Sequence, residues 1–208
     1  MAFSDFTLEE VCSAFTLDLK QGKDLFGGVS AARIGPLLRD LLEENVPLAL
    51  SIHTEKARSE LIVAPILVEV RRLMDRRISF FSGVDFDVSP SQGLNGPCDF
   101  ILAASPLQLI LRCPVLMIVQ AKNDNIKSGL GPCVAKMAAA RVFNEKDHEG
   151  PSRIYGAVTT GSLWRFLTLD EDKIFIDNRE NYVSSLGKIL GILLHCVGGD
   201  PEMAGAAA

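Results

Sequence analysis

The chain has 208 residues, a net charge of −5, a hydrophobic fraction of 48% and a charged fraction of 23%. These values are typical of an ordinary globular protein with one substantial core, or of one domain with a small appendage. The acidic balance argues against a protein that binds nucleic acid by bulk charge alone, although it leaves room for a local basic groove.

The N-terminal part of the chain is predicted to be helical. Residues 6–50 have helical character, and residues 31–45 place their apolar side chains at helical spacing. Residues 54–75 indicate a second, longer helix, with Thr54 as its N-cap and a kink at Pro65, which has no backbone N–H. We expect an N-terminal helical extension over residues 1–50, followed by a domain over residues 51–200.

From Arg77 onward the hydrophobic pattern changes to that of strands separated by Pro, Gly, Asn and Ser turns. A helix that opens at Gly131-Pro132 and a closing helix interrupt and end this series, and residues 201–208 are expected to be a disordered tail. The predicted strands are 78–88, 98–105, 114–122, 153–161, 163–170 and 173–177, and the predicted helices are 132–144 and 182–197.

Several common signatures are absent from the sequence. There is no phosphate-binding loop, no strand-linked G-x-G-x-x-G and no G-x-S-x-G. The five cysteines form no C-x-x-C pair, so reduced thiols in a cytoplasmic protein are expected. No apolar run reaches the ~18 residues of a membrane helix, and the start, MAFSDFTLEE, does not resemble a signal peptide, so no membrane partner is expected.

Three polar residues interrupt the two most hydrophobic strands. Asp99 lies just inside strand 98–105, and Gln120 and Lys122 lie at the end of strand 114–122. An antiparallel pairing of these strands would make Asp99 and Gln120 neighbours, and residues two apart on a strand share a face. The three polar groups should therefore meet at one edge of the sheet. The residue pattern alone favours a buried Asp–Lys ion pair without chemistry.

Pro97-Cys98-Asp99 on one strand and Gln120-Ala121-Lys122 on the next resemble the signature of the PD-(D/E)xK nuclease superfamily. The resemblance covers residues 54–161 and implies an α/β, restriction-endonuclease-like core, a mixed central sheet flanked by helices. The predicted order of one helix, three strands, a helix and a strand is similar to that core. The stretch TEKARSELIVAPILVEVRR is also similar to small uncharacterised bacterial, notably cyanobacterial, members.

The resemblance implies a nuclease that hydrolyses phosphodiester bonds of DNA with Mg²⁺ or Mn²⁺. Asp99, the Gln120 side-chain carbonyl and the Ala121 main-chain carbonyl would be the metal ligands, since Mg²⁺ prefers oxygen. Lys122 would be the catalytic cation. The alternative is a catalytically inactive nuclease-like domain that acts as a nucleic-acid or protein interaction module. Homodimers are common in this superfamily, and the sequence leaves the oligomeric state open.

Gln120 stands where most members have Glu, so the expected site lacks one negative charge. The helix at 54–75 offers Glu60 and Glu69, which lie on opposite edges of its apolar arc and cannot both reach one metal. The resemblance to the bacterial proteins favours Glu60 as a further metal ligand and catalytic group over Glu69. Glu55 is a third candidate.

Basic residues near the motif are candidates for contacts with a nucleic-acid backbone. These are Lys127, Lys136 and Arg141, all in or next to the helix that follows the motif. Lys136 lies where the superfamily often carries a residue that faces the site or the phosphate backbone. A solvated helix face explains such charges equally well.

Overall fold

The computed structural model describes residues 1–146, 151 and 153–202, and it is an α/β protein with helices on both faces of a mixed eight-stranded sheet. His148 and most of the expected tail, residues 203–208, lie outside the described residues. Within the described residues, none of the helices combines the length and apolarity that crossing a bilayer requires.

The helices lie mostly where the apolar spacing predicts them. Thr54 caps the helical segment that starts at Glu55, because its Oγ1 accepts a hydrogen bond from the N–H of Ala57 at 3.1 Å. That segment continues through a π-helical turn, Ser59–Val63, into the next helix. The helices are α1 Leu8–Ala14, α2 Pro36–Ile52, α3 Glu55–Arg58, α4 Ala64–Leu73, α5 Ile126–Glu145 and α6 Leu186–Cys196.

The strands are β1 Asp18–Lys20, β2 Ser79–Asp85, β3 Pro97–Ala103, β4 Val115–Ala121, β5 Arg153–Thr159, β6 Leu163–Asp170, β7 Lys173–Ile176 and β8 Asn181–Tyr182. Their order is β1-β7-β6-β5-β4-β3-β2, and β8 pairs with β6. The strands β2, β3 and β4 form an antiparallel meander, and β5 pairs parallel to β4 after the α5 crossover. The parallel β4–β5 pair agrees with a helical crossover, which parallel strands require.

The two faces of the sheet carry separate hydrophobic clusters. Side chains of α2, α4 and α6 pack on one face, against strand residues such as Leu102 and Phe166. The other face is covered by α5 and the N-terminal segment, which pack against residues such as Ile101 and Ile118. Alternation along β3 sends neighbouring residues to opposite clusters, as a sheet buried on both sides requires.

Residues 1–50 contribute side chains to both clusters and one strand to the sheet. The prediction of a helical segment over residues 6–50 did not include that strand. Asp18–Lys20 forms β1 and pairs parallel to β7 at the sheet edge. A Cβ on Gly131 of α5 would lie 2.6 Å from the carbonyl carbon of Thr7, so the N-terminal segment rests directly on that helix. The division at residue 50 stays a prediction.

The helix after the motif starts earlier than predicted. It begins at Ile126, where Asn125 caps it through its Oδ1, and Pro132 lies inside it rather than at its first turn. The helix predicted over residues 31–45 begins at Pro36 and continues to Ile52, with Pro47 inside. At Pro132 and Pro47 the local cost of a proline inside the helix is outweighed by burial of an apolar face. At the start of α2 the opposite holds, because the helix begins only at Pro36, in the first helical position that suits proline.

Candidate functional site

The predicted hairpin of β3 and β4 is confirmed, and it brings the motif residues together. The strands pair antiparallel with Phe100 opposite Val119, so Asp99 and Gln120 follow as neighbours. The Asp99 Oδ2 atom accepts hydrogen bonds from Gln120 Nε2 at 2.5 Å and from the Ala121 main-chain N–H at 2.7 Å. Gln120 Nε2 also lies 3.1 Å from the Ala121 carbonyl oxygen.

A lysine of α5 completes this arrangement. Lys136 is only 4% exposed, and its Nζ donates a hydrogen bond of 2.6 Å to Gln120 Oε1. Its ammonium lies 5.9 Å from the centre of the Phe3 ring. The three side chains form a continuous chain, Lys136 to Gln120 to Asp99, which we call the relay. In the relay a buried cation and a carboxylate are joined by one amide.

Two buried thiols lie in the same electrostatic environment. Burial raises the pKa of Cys98 and of Cys133 to about 12, the nearby Lys136 ammonium lowers each pKa by a smaller amount, and the Asp99 carboxylate raises each. Both thiols are therefore uncharged at neutral pH and place no negative charge near Lys136.

Lys122 lies at the end of β4 and stays accessible. Its main-chain N–H donates to the Thr159 carbonyl at 2.8 Å, and its side chain is 24% exposed. The Nζ atom lies 3.6 Å from Glu55 Oε2 on α3. Glu55, the least favoured of the three helix carboxylates, is therefore the one that reaches the motif.

The structure does not bring Glu60 or Glu69 to the motif. Glu60 is largely exposed and pairs with Lys56 at 3.1 Å. Glu69 is buried and makes a two-bond contact of 2.7 Å with Arg72. Both lie on the helical segment that covers one face of the sheet, whereas Gln120 contacts α5 on the opposite face.

The three basic residues predicted to contact nucleic acid have different surroundings. Lys136 is buried and bonded to Gln120, so it faces the motif and is not part of a solvated helix face. Lys127 is exposed near the start of α5. Arg141 lies in the last turns of the helix and contacts Glu145 and the Glu171 carbonyl. Fourteen residues of helix separate Lys127 from Arg141 by roughly 21 Å, so they do not form one compact patch.

Arg58 is a site residue that sequence reasoning missed. It is buried, and its guanidinium donates to Asn123 Oδ1 at 3.2 Å and to the Thr160 carbonyl at 3.0 Å. These bonds tie α3 to the loops after β4 and β5, beside Lys122. The sequence does contain a signal for its burial. Arg58 lies four residues before Ile62 and therefore on the apolar face of the helix.

The oxygen atoms at the site do not match the set that Mg²⁺ requires. Asp99 is the one carboxylate in the relay, and the Gln120 oxygen already accepts from the Lys136 ammonium. The gap between Asp99 Oδ2 and the Ala121 carbonyl is bridged by the Gln120 NH₂ group. Within the residues that the structure describes, no group of three His, Cys, Asp or Glu side chains is arranged to hold a metal ion. The relay therefore does not fit a bound Mg²⁺ in its present form.

Fold and site together define an α/β protein with a mixed eight-stranded sheet and a buried polar relay beside an accessible lysine. Comparisons of the chain with family models, with curated proteins and with solved structures found no match.

Proposed function

We propose that the chain is a nuclease-like domain that binds DNA at the start of β3 and the end of β4 without hydrolysing it. The order of elements supports the nuclease-like core: a helical segment, the β2–β3–β4 meander, α5, and β5 parallel to β4. This is the order that the resemblance implies. Asp99 on the second strand of that meander and Gln120 to Lys122 at the end of the third also occupy the positions that it implies.

The relay is the observation that carries the choice of binding over hydrolysis. A hydrolytic metal would need oxygens of Asp99 and of a second residue. The relay engages Asp99 Oδ2 with the Gln120 NH₂ group and Gln120 Oε1 with the Lys136 ammonium. The partly exposed Lys122 is not part of the relay and is still available to a ligand. The residue after it, Asn123, is held by a hydrogen bond from Arg58, which fixes the loop that follows Lys122. Lys122 can hold a phosphate oxygen without any metal.

DNA binding can be measured by fluorescence polarisation with labelled duplex and single-stranded DNA over a series of salt concentrations. We expect Lys122→Gln to weaken binding and to lower the slope of log affinity against log salt by about one, as for the loss of one phosphate contact. Lys56→Gln, at an exposed lysine of the neighbouring α3, is the matched control and should change less. Absence of DNA binding, or equal effects of both changes, would contradict the proposal.

Mg²⁺-dependent hydrolysis of DNA is the second candidate, and one observation favours it. Asp99 lies within hydrogen-bond distance of the Gln120 amide and of the Ala121 main-chain N–H, and Lys122 follows directly after β4, which supports the motif. Plasmid and single-stranded DNA should be incubated with Mg²⁺ or Mn²⁺ and wild type, Asp99→Ala or Lys122→Ala. We expect no cleavage above the level in EDTA. Cleavage that requires both the metal and Asp99 would replace our proposal with the hydrolase.

A further inference from the structure

The orientation of the Gln120 amide is fixed by the chemistry of its neighbours. An ammonium group only donates hydrogen bonds, so the amide oxygen must face Lys136 Nζ, 2.6 Å away. The NH₂ group must then face Asp99 Oδ2 at 2.5 Å, which an ionised carboxylate accepts. A rotated amide would set two donors against each other and two acceptors against each other. While Lys136 is charged, the Gln120 oxygen cannot turn toward Asp99.

The NH₂ group of Gln120 occupies a place that suits a cation. It is within hydrogen-bond distance of Asp99 Oδ2 and of the Ala121 carbonyl oxygen. A carboxylate and a main-chain carbonyl are the oxygen types that hard divalent cations bind. In this chain the partial positive charge of an amide bridges them instead.

The positive charge behind that amide comes from Lys136. Its ammonium is buried against the Phe3 ring, and no carboxylate of the described residues lies within ion-pair distance of it. The Asp99 charge is thus balanced through Gln120. We propose that Lys136, acting through Gln120, is a built-in replacement for a divalent cation, and that the pair conceals a latent metal site at Asp99. This inference does not depend on DNA binding.

Two substitutions should expose that site. Gln120→Glu places a second carboxylate beside Asp99, and Lys136→Met removes the ammonium while it keeps a side chain of similar length and an apolar stem. The double variant has two adjacent carboxylates and the Ala121 carbonyl with no internal cation. Repulsion between the carboxylates then favours a divalent cation, and metal binding should also stabilise the fold.

The test is titration of the full chain with MnCl₂ by isothermal calorimetry, with the thermal unfolding midpoint as a second readout. We expect Gln120→Glu with Lys136→Met to bind Mn²⁺ at least about tenfold more tightly than wild type, since two charges near the ion have changed. The unfolding midpoint of the double variant should rise with Mn²⁺ and that of wild type should not. Adding Asp99→Asn to the double variant should abolish both effects.

The matched control is Gln21→Glu with Lys127→Met, which makes the same charge change at two exposed positions. Equal Mn²⁺ affinity of this control and the double variant would overturn the proposal, as would a gain of less than about tenfold for the double variant over wild type. Should the double variant not fold, Lys136→Met alone decides, because without the ammonium the Gln120 oxygen is free to turn toward Asp99, and this variant is expected to bind Mn²⁺ more tightly than wild type. A folded Lys136→Met variant that binds no more tightly than wild type would also overturn the proposal.

Discussion

Lys136 is a charged residue in the most buried part of α5. Its neighbours along the helix, Ala135 and Met137, are fully buried, and its own ammonium contacts the Phe3 ring and Gln120. Burial of an ammonium destabilises the fold unless its N–H groups find hydrogen-bond acceptors and an opposite charge lies nearby. The relay supplies a partner directly and a countercharge one residue further on.

Removal of the ammonium alone should destabilise the protein. Lys136→Met leaves the Gln120 oxygen without its partner in a buried position, which costs about 1–3 kcal/mol. The Met side chain fills the same space, so a cavity does not contribute. We expect the free energy of unfolding in urea to fall by that amount relative to wild type.

Lys127→Met, the same change at an exposed position of the same helix, should stay within about 0.5 kcal/mol of wild type. If Lys136→Met were as stable as Lys127→Met, the relay would contribute nothing to folding, and the ammonium would be tolerated rather than stabilised.

Part of this site could be predicted from sequence. The contact between Asp99 and Gln120 follows from an antiparallel register that the turn residues and strand lengths suggest. The partner of Lys136 could not be predicted, because it depends on how α5 is rotated and how closely it approaches the sheet. Gly129, seven residues before Lys136 and so on the same helix face, sets that approach: a Cβ there would lie 3.0 Å from Lys122 Cγ.

At the scale of elements, the helical segment from Glu55 to Leu73 shows how a proline is accommodated. Pro65 has no N–H for the carbonyl of Leu61, four residues earlier. The Leu61 carbonyl accepts a hydrogen bond from Asn45 Nδ2 of α2 at 2.9 Å. The predicted disturbance takes the form of a π-helical turn just before the proline, and a neighbouring helix supplies the missing donor.

The bond from Asn45 should matter only while the proline is present. Asn45→Ala should destabilise the protein by about 1 kcal/mol, because a half-buried carbonyl loses its partner. In a Pro65→Ala background the restored N–H can serve Leu61, so the same change should cost less. A double-mutant cycle on the free energy of unfolding in urea measures the difference. Equal costs of Asn45→Ala in both backgrounds would show that Leu61 does not couple the two residues.

The elements that the hydrophobic pattern predicts are those with a long apolar face. The strands from β2 to β7 and the helices α2, α4, α5 and α6 each bury such a face, and their existence is confirmed. The short β1 was missed, because three residues carry too little periodicity and the strand exists only through its pairing with β7.

On the scale of the whole molecule, the candidate site lies where both layers of helices reach the same end of the sheet. Lys136 of α5 approaches the motif from one face, and Glu55 and Arg58 of α3 approach from the other. Loops after β4 and β5 lie between them, and Arg58 binds both loops. The geometry of the site therefore depends on the packing of the complete fold.

The buried thiols should make the whole fold sensitive to alkaline pH. Cys98 and Cys133 have an ordinary pKa of 9.0, and burial raises it to about 12 in the folded protein. Between these values the unfolded chain loses the thiol protons and the folded protein keeps them. Ionisation of these two thiols should therefore not change the free energy of unfolding below pH 9. Between pH 9 and 12 it should lower that free energy by on the order of 1 kcal/mol per pH unit for each thiol.

Urea unfolding at several pH values between 8 and 11 measures this slope. The variant Cys98→Ala with Cys133→Ala should have a shallower decline than wild type, whatever its absolute stability, because it lacks both titrating groups. Val134→Ala with Val158→Ala removes buried atoms from the same hydrophobic cluster without removing a thiol, so its decline should match that of wild type. If the cysteine variant declined as steeply as wild type, ionisation of these thiols would not limit the alkaline stability of the fold, and other buried groups would have to account for it.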